Sequence, residues 1–579
     1  MRLPLNIPLK GWTTDAPYTE VPQGMSLDLL NVIPNDQYHG RMRLGLRPAL
    51  TLLDVISTSE IQCLVPCSNY AETTSGSGVY VRTDRTLIVT GGKIYQMQPG
   101  VKPTVVDAGT PLKTTGRVSG IQFKEHAYFC DGTNYRKVNL MIQDSPVSSA
   151  WSGPDGVVEA GDYFSTIITR FGARVAMAGV ETARESWFLS AIDDPEDWNP
   201  DASDSTDAVA GGSGVEYGSI GEPITALVPF GTSGLLIAGK RSLTYLTGDP
   251  AFSGTAMHSM SRSLGLVGPN AWCAGPSQSV FVLSEEGLLY LTPNMFDVDK
   301  SAAVSRGRLD SFFQNRRWYD LDPVLVHDVA RSGVWIFLND TSQPTRSDHL
   351  FYSYATDGFF PIELYHPRFT GAVSAVHSGI NTGGADTVVM GSADGVIATF
   401  DPNVICGSDG QTSSAVTWNT WTDTTTSILS ASDAGSQRIE SHLTMGPIAG
   451  PAPNEVLIRE VTVEAGLDDY LPDTSTKGTT SKPRVELVYG ESPQQAVGSD
   501  ITSVTAVMKE EIIIDCGYWD AAEDDGEDLT IDGGTQSSGY KECNYAGAVG
   551  SAAADDNAID GGVATRVWDE SRWTANDMF

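Results

Sequence analysis

The sequence predicts an all-β chain whose larger part is a β-propeller of six or seven irregular blades, flanked by small β-domains. Three observations carry this. Apolar runs of four or five residues without polar alternation recur along the chain, as in Val280-Phe281-Val282-Leu283, and such runs mark strands buried on both faces. Paired runs start afresh about every 30–50 residues, the period of propeller blades. Gly or Asp-Gly turns separate the paired runs and supply the positive φ of tight hairpins. With 59 glycines and 31 prolines, the composition fits short strands and many turns. A β-sandwich pair or a solenoid is the structural alternative.

In chain order, residues 1–60 read as an N-terminal arm and docking segment. Asp28 and Asn31 suit turns or helix caps, and Leu29, Leu30 and Val32 supply a small buried anchor, with a short helix expected near 26–32. Residues 40–48, Gly-Arg-Met-Arg-Leu-Gly-Leu-Arg-Pro, read as an extended surface arm whose Arg41, Arg43 and Arg47 meet an acidic partner, or else as a solvated strand with local ion pairs. Residues 61–401 hold the propeller-like repeats, in seven strand–turn–strand units at 79–95, 120–132, 174–190, 224–246, 280–291, 334–360 and 388–400. Residues 402–436, rich in Ser and Thr with Trp418 and Trp421, read as a linker or long hairpin. Period-two alternation near 455–464 and 484–490 marks a small β-domain over 437–515 with one wet face. Residues 516–579 form an acidic C-terminal segment.

At 579 residues the chain exceeds what one core supports, so two to four domains are expected. No apolar run reaches the roughly 18–20 residues of a membrane helix. The start has no continuous apolar stretch and is not expected to be a signal peptide. Seven scattered cysteines fit reduced, buried thiols and a reducing cytoplasm.

Net charge is −35, and between Glu185 and Gly239 there is no Lys or Arg. Asp193, Asp194, Glu196 and Asp197 open one acidic loop, and Glu523, Asp524 and Asp525 lie in a second. Each phosphate contact needs a cation, so such surfaces exclude tight nucleic-acid binding but not passage without adhesion. The two loops are equally readable as solvated loops.

The eight histidines (39, 126, 258, 327, 349, 366, 377, 442) have no metal-ligand spacing, and Cys63-x-x-x-Cys67 has no second pair to complete a zinc site. Neither a Gly-x-Ser-x-Gly elbow nor a Walker loop occurs. The acidic loop at 193–207 lacks the Gly and terminal Glu of an EF-hand, so no metal is expected. A glycosidase carboxylate pair on separate blades leaves no sequence spacing. Ser392-Ala393-Asp394-Gly395 faintly resembles the aspartate-box turn of propeller sialidases, without its Thr-Trp ending. No catalytic residue and no cofactor is assigned, and the chain is not expected to be an enzyme.

The order Pro22-Gln23-Gly24, Leu29-Leu30-Asn31-Val32 and Gly40-Arg41-x-Arg43-x-Gly45-x-Arg47-Pro48 resembles the start of tail nozzle proteins of short-tailed bacteriophages (podoviruses), also called tail tubular protein B. Asp194-Pro195-Glu196-Asp197-Trp198 is similar to that family's Asp-Pro-x-x-Trp loop, and Tyr489-Gly490-Glu491-Ser492-Pro493 to its Tyr-Gly-x-Ser-Pro ending. Nothing from residue 516 onward matches.

The resemblance implies a structural virion protein, assembled in the host cytoplasm. Six copies would form a ring below the phage adaptor (the head-to-tail connector), beside tail fibres or spikes, and pass double-stranded DNA. Asp28, Asn31, Arg41, Arg43 and Arg47 are then candidates for an adaptor or subunit interface. Asp193, Asp194, Asp197, Glu523, Asp524 and Asp525 are candidates for the channel lining. The alternative is a propeller-type carbohydrate-binding or glycoside-hydrolysing tail protein.

Overall fold

The computed structural model describes residues 7–17, 21–34, 44–48, 50–98, 103–143, 145–154, 164–199, 207–212, 218–252, 255–340, 348–364, 369, 373–380, 386–400, 408–409, 411–412, 437–438, 442–443, 529–531 and 543–545. Seven antiparallel sheets follow one another along the chain, each a meander of neighbouring strands. Blade 1 is Ile61–Glu72, Tyr80–Thr90, Lys93–Met97 and Thr104–Asp107; blade 2 is Ser119–Phe123, His126–Cys130, Tyr135–Asn139 and Val147–Ala150. Blade 3 comprises Ile167–Phe171, Arg174–Val180, Ala183–Leu189 and Val209–Gly211, and blade 4 Ile224–Phe230, Gly234–Gly239, Leu243–Thr247 and Ala256–Ser261. Blade 5 has three strands, Trp272–Ala274, Val280–Ser284 and Gly287–Leu291. Blade 6 is Leu321–Asp328, Gly333–Asp340, His349–Ser353 and Gly358–Ile362, and blade 7 begins with Val373–Ile380, Asp386–Ser392 and Val396–Phe400.

The first strands of successive blades lie against one another from blade 1 to blade 4 and from blade 5 to blade 7, blades 4 and 5 share one apolar cluster, and the first strand of blade 7 lies against that of blade 1, which closes the ring. The fold is a seven-bladed β-propeller. Its seventh blade is completed from the other end of the sequence. Leu50–Val55 pairs antiparallel with Val396–Phe400 as the fourth strand, and Gln411–Thr412 adds a short parallel edge to Leu50–Val55. The closing strand thus comes from the segment expected to be an arm.

Why the apolar runs are continuous follows from the packing. Each blade is sandwiched between two neighbours, so both faces of its strands are buried. In Gly333–Asp340, Val334, Ile336 and Leu338 pack toward blade 5, while Trp335 and Phe337 pack toward blade 7. One apolar cluster fills each of the seven gaps between blades. At the gap between blades 7 and 1, Ile61, Leu64 and Ile88 meet Ala375, Val389 and Ile397. Two polar bonds accompany them: Thr86 Oγ1 to His377 Nε2 at 3.0 Å, and the Ser374 hydroxyl donating to Ile61 O at 2.7 Å.

Among the described residues the α-helix Asp310–Gln314 is the only one, and no helix is long and apolar enough to cross a membrane. The helix expected near 26–32 does not form. The strands Leu29–Leu30 and Val32–Pro34 stand there instead, separated by Asn31 at φ 56°. That left-handed value ends any helical path and turns Leu29 and Ile33 into the core of blades 6 and 7.

The chain divides into two units, Met1–Pro17 with Val21–Met445, and Tyr18–Glu20 with Gly446–Phe579. In the second, Leu529–Ile531 pairs antiparallel with Cys543–Tyr545. Apart from these strands and the short pairings of 437–438 and 442–443, the expected β-domain at 437–515 and acidic segment at 516–579 lie outside the described residues.

Candidate functional site

The described N-terminal segments 7–17, 21–34 and 44–48 fold onto blade 6. The first turns of the chain are pinned by backbone bonds: Trp12 N–H donates to Phe359 O at 2.7 Å, Lys10 N–H to Gly24 O at 2.7 Å, and Ser26 N–H to Gly11 O at 2.8 Å. Gly11 is required here. It sits at φ 75°, and a Cβ would lie 2.0 Å from Phe359 O.

Asp15 caps the helix Asp310–Gln314, accepting from the N–H groups of Asp310 (2.6 Å) and Ser311 (3.0 Å) and from the Ser311 hydroxyl. Partial burial works to raise its carboxyl pKa, but the bonds from Ser311, Asp310 and Thr14 outweigh it and hold the group below its ordinary value. Its stabilisation is therefore in full force above about pH 4 and fades as the pH falls through the lowered folded value. Asp15→Ala should cost about 1 kcal/mol near neutrality, a difference that shrinks at pH 3. Urea midpoints of both proteins at the two pH values check this.

Asn31 and Arg47 form a lock. Arg47 Nε donates to Asn31 Oδ1 at 3.0 Å and to Glu363 O at 3.1 Å, and Nη1 donates to Pro48 O at 3.0 Å. Asn31 Oδ1 also accepts from Glu363 N–H at 2.9 Å. Arg47 is 2% exposed and Asn31 3%. This corrects the reading of Arg47 as part of an extended surface arm, and Asn31, read as a turn or helix cap, is instead a buried junction between two strands. Leu44–Leu46 pairs with Val32–Pro34 as a hairpin, which carries Arg47 inward to backbone acceptors on blade 6. Asp28 is exposed, with its backbone held by the Ser26 hydroxyl. Arg41 and Arg43 lie outside the described residues.

The acidic loop after Leu189 fastens blade 3 to blade 2. Lys124 Nζ is 3.0 Å from Asp193 Oδ1, and Lys137 pairs with Glu196. Asp194 and Asp197 accept from the N–H groups of Glu196 (3.0 Å) and Asn199 (3.1 Å). Trp198 anchors the loop, packing near Trp151 while its Nε1 donates to Ser152 O at 3.1 Å. Nothing in the spacing of lysines 124 and 137 announces these partners. Glu523, Asp524 and Asp525 lie outside the described residues.

Arg174 also eluded sequence reasoning. It is fully buried and braces blade 3 to blade 4, with Nε donating to Asp249 Oδ2 at 2.8 Å and Nη1 to the carbonyls of Ser190 and Asp207, each at 2.6 Å.

Groups able to do chemistry are few among the described residues. No cluster of three or more His, Cys, Asp or Glu side chains suits a metal ion. Burial pushes the thiols of Cys63 and Cys67 up to about 12 and raises those of Cys130 and Cys273, so none is a thiolate at neutral pH. An open cleft of about 570 Å³ beside blade 4 is lined by Glu222, Arg241, Ser242, Thr244, Ser259 and Arg262. Glu222 Oε1 accepts from the Arg241 N–H at 3.0 Å, which engages that carboxylate in the local turn.

No family model and no curated protein matches the sequence. Among solved structures, the chain is similar to YCF48 from Cyanidioschyzon merolae, at 11% identity over 62% of this chain and 100% of that one, with a TM-score of 0.35. It is also similar to the extracellular domain of BT4673 from B. thetaiotaomicron, at 9% identity over 61% of this chain and 39% of that one, with a TM-score of 0.37. The N-terminal domain of Nup159 is similar at 10% identity over 61% of this chain and 94% of that one, with a TM-score of 0.32. The blade count and ring closure rest on the chain's own sheets.

Proposed function

We propose that this chain is a structural subunit of a short-tailed phage tail, a nozzle-like protein that assembles as a six-membered ring below the adaptor and lets DNA pass. The observation that supports it most is the lock of Asn31 and Arg47 on the backbone of Glu363. Both residues belong to the motif that carries the family resemblance, and both are engaged by this particular propeller. A motif tied to a fold-specific contact favours a shared fold over coincidence. The surplus of carboxylates agrees with a DNA path, because facing carboxylates keep phosphates off a wall within the roughly 8 Å Debye length at physiological salt. In this reading, Asp193, Asp194 and Asp197 remain candidates for that wall.

Light scattering on the purified chain, alone and with the adaptor of the same particle, tests the proposal together with electron microscopy. A six-fold ring and a mass near six chains are expected. A monomer under both conditions, or specific glycan binding by such a monomer, overturns it in favour of the carbohydrate reading.

A further inference from the structure

The first strands of the blades surround the propeller axis, and one ion pair crosses the opening between them. Arg117 leads into Ser119–Phe123 of blade 2, and Asp322 is the second residue of Leu321–Asp328 in blade 6. The Arg117 guanidinium pairs with the Asp322 carboxylate. Blades 2 and 6 are not neighbours, so the entries to their first strands meet only across the axis. The shorter way round the ring between them passes through blades 1 and 7. The pair is therefore a chord beneath the seam where blade 7 meets blade 1.

Both ends of the chord are tied to the two sides of that seam. On one side, Gln62 of blade 1 holds the approach to Arg117. Its Nε2 donates to Lys113 O at 3.0 Å and to Gly116 O at 2.7 Å, while its Oε1 accepts from Gly92 N–H at 3.1 Å. The Lys113 N–H donates in turn to Asp131 Oδ2 of blade 2 at 2.7 Å. On the other side, Asn339 of blade 6 joins Asp322 to blade 7. Its Nδ2 donates to Asp322 O at 2.9 Å and to Val373 O at 2.6 Å, and its Oδ1 accepts from Val373 N–H at 2.8 Å. Gln62, Asp131 and Asn339 are all buried, so the two charges are held in place before they meet.

The seam above the chord is the leanest of the seven. Its cluster holds six buried side chains among the described residues, none of them aromatic. The other gaps hold eleven to nineteen, with at least one aromatic ring in each. Apolar burial is the main force that keeps blades together, so this seam draws least from it. The chain crosses the seam through residues 56–60, and Glu60 ends that link. Burial raises the Glu60 pKa, the charge of Asp322 adds to this, and Arg117 opposes it, so a third charge stands beside the chord. A lone exposed ion pair contributes little, whereas a small network on a fixed frame contributes more.

We propose that the Arg117–Asp322 pair is a clasp on the closing seam: blades 7 and 1 part only when the chord across the axis parts. Opening at this seam is then a local event, with the gap between blades 3 and 4 still packed. The inference is independent of the ring of subunits proposed above, because it concerns one propeller alone.

Hydrogen exchange of the full chain, read by mass spectrometry, tests it. Residues 61–65, 86–90 and 387–392 report on the seam, and residues 176–189 and 224–238 on the gap between blades 3 and 4. Arg117→Gln and Asp322→Asn should each raise exchange at the seam about two- to fivefold and leave the other gap unchanged. The double variant should exchange no faster than the faster single one, because either change removes the same contact. In the unmodified chain, about 1 M salt shortens the Debye length to roughly 3 Å and should raise exchange at the seam alone. Seam exchange that stays constant in both variants and in salt overturns the clasp. So does a rise of equal size at both gaps, or single effects that multiply in the double variant.

Discussion

A chain shortened to begin after Val55 is expected to lose cooperative folding, although every residue from Ile61 to Phe400 is kept. The deletion strips blade 7 of its fourth strand, whose Leu50 is fully buried and whose Leu52 is 1% exposed against the core shared with blade 6. Each buried leucine contributes about 2–5 kcal/mol by the measure of Leu→Ala replacements. The ladder from Val396–Val55 to Phe400–Leu50 is lost too, leaving Val396–Phe400 as an unpaired edge. The sum rivals the about 5–15 kcal/mol net stability of a whole domain. The shortened chain should precipitate or unfold without a sharp transition in urea, whereas Leu52→Ala in the full chain should cost about 2–5 kcal/mol and keep one. A shortened chain with the full chain's urea midpoint would show that the closing strand is dispensable.

That strand marks the boundary of what the sequence discloses. The seven units from 79–95 to 388–400 each fall within a blade, because burial on both faces forces a local signal that needs no knowledge of partners. Leu50-Thr51-Leu52-Leu53-Asp54-Val55 reads as a strand, but nothing local says that it pairs with residues 396–400. Arg47 misleads for a related reason. Arginine is rarely buried, and what makes its burial tolerable is Glu363 O, 316 positions away. Asn31 likewise reads as a cap, and only its φ of 56° and the blade beneath it make it a junction between strands. The blade 1 unit was legible at 79–95, but the outward turn of Tyr70 and Tyr80 depends on which face blade 2 covers, information that resides at Met141 and Gln143.

The second large effect is expected at Asp328. This residue ends the first strand of blade 6, and its side chain is 1% exposed, as is only 7% of that of Arg331 across the turn. Asp328 Oδ1 accepts from Arg331 N–H at 3.1 Å, and Oδ2 accepts from Arg331 Nη1 and Trp335 Nε1, both at 2.9 Å. Trp335 in turn packs against the tilted rings of Phe351 and Phe400, at centroid distances of 4.6 and 4.4 Å, so one carboxylate fixes both the turn and the largest ring between blades 6 and 7. Asp328→Ala leaves a buried guanidinium without its counter-charge and the indole N–H without its acceptor, and should cost about 3–5 kcal/mol. The double variant Asp328→Asn with Arg331→Met removes both charges together and keeps an amide oxygen for the indole. It should therefore be less destabilised than Asp328→Ala, because the penalty lies mainly in the orphaned charge and not in the lost attraction. Urea unfolding followed by circular dichroism decides between these accounts: a double variant weaker than Asp328→Ala would mean that the ion pair's own attraction holds this seam.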